Sequence, residues 1–171
     1  MNKFAVPLGF FFVGIAMIAA IAWRSSLPER SEPAVTETTP RQQTFDQMLR
    51  TGAAAIYVDN QPSGATEVSV GFAVMQDPGF VVAFADDGGV PGRAVGASDL
   101  LPPGGGEHVA VSLSEPLAQY GIYYAVLYRD DGDGIFDSLK DRQVTDASDN
   151  VVLMTFAAEA DAVPEDGPVL P

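Results

Sequence analysis

The sequence predicts an all-β domain behind one membrane-spanning helix. Three observations lead to this fold class. Short runs alternate between apolar and polar residues, turns rich in glycine and proline separate them, and an uncharged apolar stretch stands near the amino terminus. Together they predict an immunoglobulin-like antiparallel β-sandwich of about seven strands, preceded by one transmembrane helix, with a small β-barrel as the alternative.

Alternation with a period of two identifies the strands. In residues 67–74, valine and phenylalanine alternate with small or polar side chains, as in a half-buried strand. Residues 121–128, GIYYAVLY, are apolar on both faces and predict a central strand. The remaining predicted strands share alternating or short apolar runs and lie at residues 54–58, 80–84, 109–113 and 151–156, and residues 93–96 could supply a short edge strand.

The amino-terminal stretch predicts the membrane segment. Residues 4–23 contain no charge, and at about 1.5 Å per residue a helix of this length spans the hydrocarbon core of roughly 30 Å. Trp23, the last residue of this stretch, and Arg24 after it lie at the far boundary, as interfacial anchors do. Residues 1–3 would then be a cytoplasmic head and the remainder extracytoplasmic. A cleaved signal peptide is the competing interpretation, because residues 20–22 offer an A-x-A cleavage site.

Two further segments flank the predicted domain. Residues 24–50 are rich in Pro, Ser, Thr and Glu, which predicts a disordered linker, and residues 44–50 could add one short helical turn. The folded domain is predicted at residues 51–160, long enough to bury a core. Residues 161–171 form an acidic, proline-rich tail that should fray.

Charge and composition limit the function. Asp and Glu number 23 against 9 Lys and Arg, so the net charge is -14, and the domain alone has 16 acidic and 4 basic residues. Such a surface repels nucleic acid and favours cations or basic partners. Cysteine is absent, which excludes disulfides and thiolate sites. A catalytic triad would need the single histidine, His108, with Ser98 and Asp99 or with Ser112, but an exposed histidine at the start of a strand fits better.

The run YRDDGDGIFDS, residues 128–138, holds the candidate metal ligands. With an EF-hand spacing, Asp131, Asp133 and Gly134 fit the third, fifth and sixth positions. Arg129 and Lys140 occupy the first and twelfth positions, so the strict pattern fails at both ends. The alternative is a plain hairpin turn, since Asp-Gly favours type I′. The candidate set for a looser calcium site is Asp130, Asp131, Asp133 and Asp137.

Four stretches in order resemble a known family. They are VDNQPSGATEVSV, GFVVAFAD, VGASDLLPPGGGEHVAVSLSEPL and YYAVLYRDDGDGIFD, which span most of the domain up to Asp137. Together they resemble an uncharacterised domain of secreted and cell-surface proteins, mostly from halophilic archaea and also from bacteria. The resemblance implies a small extracytoplasmic β-domain, often tethered to a membrane, and it supplies no catalytic residues.

The expected function follows from these features. We expect a single-pass membrane protein whose domain is periplasmic or extracellular, with a binding or structural role at the cell envelope and without catalytic turnover. Its partners would be the membrane, through residues 4–23, and an unidentified envelope protein. The alternative is an accessory subunit of a membrane or envelope complex, and a hydrolase using His108 or the aspartates is third. Apart from the candidate calcium ion, no cofactor is expected.

Overall fold

A computed structural model describes residues 39–164, which form one helix followed by nine strands. The predicted membrane segment 4–23, its head, residues 24–38 of the predicted linker and the tail from residue 165 lie outside the described residues. Within residues 39–164, no helix has the length and apolar character needed to cross a membrane. The elements are α1 (Pro40–Thr51), β1 (Ala55–Val58), β2 (Gln61–Pro62), β3 (Glu67–Val74), β4 (Gly79–Asp86), β5 (Pro91–Ser98), β6 (Gly106–Leu113), β7 (Ile122–Arg129), β8 (Arg142–Gln143) and β9 (Leu153–Glu159).

The strands form one hydrogen-bonded path in the order β1-β3-β6-β5-β4-β7-β9-β2, with β8 paired to β7. Every pairing is antiparallel except that of β2 with β9. The prediction of a mostly β domain is therefore confirmed for the described residues. Strand β7 lies between β4 and β9, which confirms the central position that its apolar sequence predicted.

Two separate hydrophobic clusters lie on opposite faces of β4 and β7. The main core contains Val81 and Ala83 from β4 and Leu127 from β7, and it extends over most of the sheet. Because side chains alternate along a strand, the intervening residues of β4 and β7 point the other way. They form a second buried cluster, hereafter the outer cluster, of Phe80, Val82, Phe84, Tyr124, Val126 and Tyr128. Strand β4 is therefore covered on both faces.

Helix α1 corrects the carboxyl-terminal part of the predicted linker 24–50. Its start is fixed by a capping box, in which the amide of Gln42 donates to Thr39 Oγ1 and the amide of Thr39 donates to Gln42 Oε1. Phe45 is completely buried, and its ring centroid lies 5.8 Å from that of Tyr57 and 5.9 Å from that of Phe72. The segment has few apolar residues, but the cap fixes its start, Phe45 is buried in the core, and Met48 and Leu49 pack against that core.

Arg41 attaches the helix to strands β1 and β9. Its guanidinium donates to the carbonyl of Val58 in β1 at 2.9 Å and to that of Thr155 in β9 at 2.7 Å, and it also binds Asn60 Oδ1. Asn60 in turn donates to Glu159 Oε1 at 2.8 Å. A residue from the predicted linker therefore joins β1 to β9, which share no ladder of backbone hydrogen bonds.

Candidate functional site

Four connections meet at one end of the sheet, which we call the loop end. Gly79 at the start of β4 pairs with Arg129 at the end of β7, and Ala73 near the end of β3 pairs with Gly106 at the start of β6. This register brings together residues 52–54, 75–78, 99–105 and 130–141, which connect the strands there. All four predicted metal ligands lie in the last of these, hereafter the aspartate loop.

Asp141 organises the aspartate loop from its base. Its side chain is only 6% exposed. One carboxylate oxygen accepts the amide of Asp131 at 3.0 Å, and the other accepts the amide of Asp137 at 2.8 Å. The carboxylate therefore bridges two points of the loop six residues apart. The sequence interpretation missed Asp141, although it lies one position beyond the twelfth EF-hand position.

Each predicted metal ligand also accepts a backbone amide. Oδ1 atoms of the four aspartates accept from residues two to four positions later, at distances of 2.9 to 3.1 Å. Gly132 and Gly134 have φ of 109° and 75°, in the left-handed region that favours glycine. The loop joins the antiparallel pair β7 and β8, so it is a hairpin connection, but a wider one than a two-residue type I′ turn.

Lys140 forms ion pairs with two of the four predicted metal ligands. Its Nζ lies 3.2 Å from Asp133 Oδ2 and 3.6 Å from Asp137 Oδ2. The hydrogen bond from the Ile135 amide, and next the one from Lys140, lower the pKa of Asp133. The hydrogen bond to Asp133 raises the pKa of Lys140. Two of the predicted ligands therefore face a cation that the protein itself supplies.

The remaining two predicted ligands meet Asp141. Asp130, Asp131 and Asp141 each offer a carboxylate oxygen within 4.8 Å of the others. Calcium takes six to eight oxygens, so three carboxylates fit it only with further ligands such as water or carbonyl oxygens. The donor atoms are of the right chemical type, but several of their lone pairs are used by the amides described above.

The aspartate loop also covers the outer cluster. Phe136 places its ring 5.8 Å from that of Phe80 and 5.3 Å from that of Tyr128, both edge to face. Its neighbour Ile135 is 71% exposed, and Leu139 is 94% exposed. The loop therefore has one apolar side chain directed to the protein and two that face solvent.

A cleft of about 360 Å³ opens beside the loop. Asp77, Arg129 and Arg142 line this cleft and also an adjoining one of about 570 Å³ that reaches Lys140. Three of the four Lys and Arg residues in the domain therefore surround two neighbouring clefts at the loop end.

His108 is not joined to the serines that a triad would need. It is exposed near the start of β6 with a φ of 50°, and its side chain makes no hydrogen bond among residues 39–164. Ser98 Oγ accepts the amide of Val81 at 3.0 Å and donates to the carbonyl of Asp99 at 2.8 Å. Both bonds of Ser98 hold backbone in place.

The fold and the loop end define a small, mostly β domain built on one sheet. The chain belongs to the family described as a domain of unknown function (DUF7282), whose sequence profile matches residues 54–159. The match confirms the resemblance to an uncharacterised domain, and it extends beyond Asp137 to include β8 and β9. Comparison with curated proteins and with solved structures found no match.

Proposed function

We propose that the protein is a membrane-anchored, extracytoplasmic module that binds a partner or supports a structure at the cell envelope, without catalytic turnover. The exposed residues at the loop end are the main support for this proposal. Three exposed apolar side chains, Leu100, Ile135 and Leu139, lie on its connections, and two clefts lined by charged residues open at the same end. Exposed apolar groups next to charge are common features of interaction surfaces.

For the fold, we propose an immunoglobulin-like sandwich rather than a closed barrel. The seven longer strands follow the order β1-β3-β6-β5 and then β4-β7-β9, the order of the two sheets in a constant-type immunoglobulin domain. The register between β4 and β5 shifts at two places, where the path could bend from one layer into the other. The missing ladder between β1 and β9 supports the same choice.

The membrane anchor rests on the sequence of residues 4–23. Two measurements test the anchor: carbonate extraction of membranes, and mass spectrometry of the purified chain. An anchored protein stays in the membrane fraction with its amino terminus intact. A soluble protein that begins near residue 23 would instead identify a cleaved signal peptide.

The binding role is tested by capture of partners with the full-length chain in mild detergent. We expect Ile135→Asp combined with Leu139→Asp to abolish capture of the principal partner. Val90→Asp is the matched control, because Val90 is 57% exposed in the β4–β5 turn at the opposite end. Equal capture by both variants would contradict a role for the loop end. A stoichiometric membrane complex would favour the accessory-subunit alternative.

The calcium hypothesis now concerns Asp130, Asp131 and Asp141, whose carboxylates converge. We propose that a bound ion would stiffen the aspartate loop. Melting of the full-length chain in millimolar Ca²⁺ and in excess EDTA tests this, with Asp130→Asn as the variant and the exposed Asp99→Asn as the control. Calcium should raise the melting temperature of the wild type and of Asp99→Asn only. Identical melting of the wild type in both buffers rules the site out.

A further inference from the structure

Arg129 and Arg142 stand directly opposite each other where β7 pairs with β8. Directly opposite residues of an antiparallel pair have Cβ atoms about 4.5–5.5 Å apart, and like charges at such positions destabilise the pair. The domain has sixteen Asp and Glu residues against four Lys and Arg. Two of its four positive side chains therefore lie opposite each other although carboxylates are plentiful.

The carboxylates nearby compensate the pair only in part. Asp77 Oδ2 lies 3.5 Å from Arg129 Nη1, and both side chains are about half exposed. The guanidinium of Arg142 makes no hydrogen bond and no ion pair with any part of the chain between residues 39 and 164. Asp130 and Asp131 line the adjoining cleft, where they accept amides of the aspartate loop. One guanidinium at the loop end therefore remains available to a ligand.

The cleft beside the arginines has the volume of a small-molecule site. Its volume of about 360 Å³ falls within the usual range for ligand pockets. Most of its lining is polar and includes Gln76 and Thr145, while Ala54 and Met75, both largely buried, supply a small apolar part of the wall. Two arginines and Asp77 leave this cleft with a local excess of positive charge.

We infer that this cleft binds an organic carboxylate that carries a short apolar group. The planar guanidinium matches a carboxylate with two parallel hydrogen bonds, and the apolar lining accommodates the attached group. A polyanion is disfavoured because the remainder of the domain is strongly negative. This inference rests on the proposed binding function and names the class of ligand.

Thermal melting of the full-length chain in mild detergent, at constant ionic strength, tests the inference. Sodium butyrate should raise the melting temperature in a saturable way, as expected for a ligand of the folded state. Arg142→Gln should weaken the apparent butyrate affinity by about tenfold, the effect of losing one charge-assisted contact. Arg93→Gln is the matched control, because Arg93 pairs with Glu115 away from the clefts, and it should bind butyrate like the wild type.

The melting temperature of Arg142→Gln without ligand shows whether the substitution destabilises the fold. Since Arg142→Gln removes a like-charge pair, it should melt no lower than the wild type without ligand. A lower melting temperature of unliganded Arg142→Gln would contradict the absence of a partner for Arg142. In that case Arg129→Gln would show whether butyrate affinity still depends on the two arginines. Loss of butyrate affinity in Arg129→Gln would support the site.

Peptides distinguish the source of the carboxylate. A pentapeptide ending in leucine is compared as the free acid and as the carboxyl-terminal amide. Tighter binding of the acid than of butyrate assigns the site to a polypeptide carboxyl terminus, and equal binding assigns it to a free organic acid. Absence of butyrate and peptide binding, or tighter binding of inorganic phosphate, overturns the inference. If capture of a partner through Ile135 and Leu139 persists in that case, the proposed function stands without this site.

Discussion

The ring of Phe136 lies 5.3 Å from that of Tyr128, with an angle of 82° between the two planes. This contact joins the aspartate loop to the outer cluster on β4 and β7. The hydrogen bonds of the acidic run fold its backbone so that Phe136 covers apolar side chains of the outer cluster. The polar residues at the surface and the buried aromatic ring belong to one unit.

Replacing Phe136 by alanine should destabilise the domain by about 1–3 kcal/mol. A fully buried phenylalanine costs about 3–5 kcal/mol when truncated, and Phe136 is only partly buried. The matched control is Ile135→Ala, which should change stability by less than about 0.5 kcal/mol because Ile135 is exposed. Denaturant unfolding of both variants measures the difference, and equal effects would show that Phe136 does not anchor the loop.

Removing the carboxylate of Asp141 should also destabilise the domain. The variant Asp141→Ala leaves the amides of Asp131 and Asp137 without their acceptor, at a cost of about 1.5–3 kcal/mol for a hydrogen bond to a charged group. Asp99→Ala removes an exposed carboxylate without such bonds and should be neutral. Hydrogen exchange of the two amides gives a local measurement, and unchanged protection in Asp141→Ala would contradict the bridging role.

The sequence could predict elements whose signal is local, and it missed those that depend on distant partners. Strand β7 is apolar on both faces, so its central position followed from its own residues. The burial of Phe45 depends on Tyr57 and Phe72, which belong to other elements, and the preceding segment has a composition typical of linkers. Asp141 was missed because its partners are amides, which have no signature in the sequence.

The hydrogen bond from the Ile135 amide to Asp133, and next the ion pair of Asp133 with Lys140, should make stability depend on pH. Because the pKa of Asp133 is lowered in the folded state, its contribution is complete above the usual value of 3.8 and is lost as the pH falls through the lower folded-state pKa. The pKa of Lys140 is raised, so its contribution is lost only as the pH rises above 10.5. The melting-temperature difference between wild type and Asp133→Asn should therefore shrink as the pH falls below 3.8 and through the lower folded-state pKa.

Salt dependence distinguishes the ion pair of Asp133 with Lys140 from other causes of acid destabilisation. Both side chains are substantially exposed, so about 1 M NaCl should screen the attraction and reduce the difference at neutral pH. Asp99→Asn serves as the control, since its side chain makes no hydrogen bond or ion pair within residues 39–164. A difference that stays the same at every pH and salt concentration would exclude the ion pair as its cause.

Phe45 tests whether helix α1 is part of the domain. Because Phe45 is completely buried against Tyr57 and Phe72, Phe45→Ala should cost about 3–5 kcal/mol in denaturant unfolding. The exposed Gln47→Ala on the same helix should be nearly neutral, because alanine keeps the helix propensity high. If the helix only tethers the domain, Phe45→Ala and Gln47→Ala should both change the free energy of unfolding only slightly. A large effect confined to Phe45 would place the start of the folding unit before Pro40, since the capping box at Thr39 sets the register that directs Phe45 into the core.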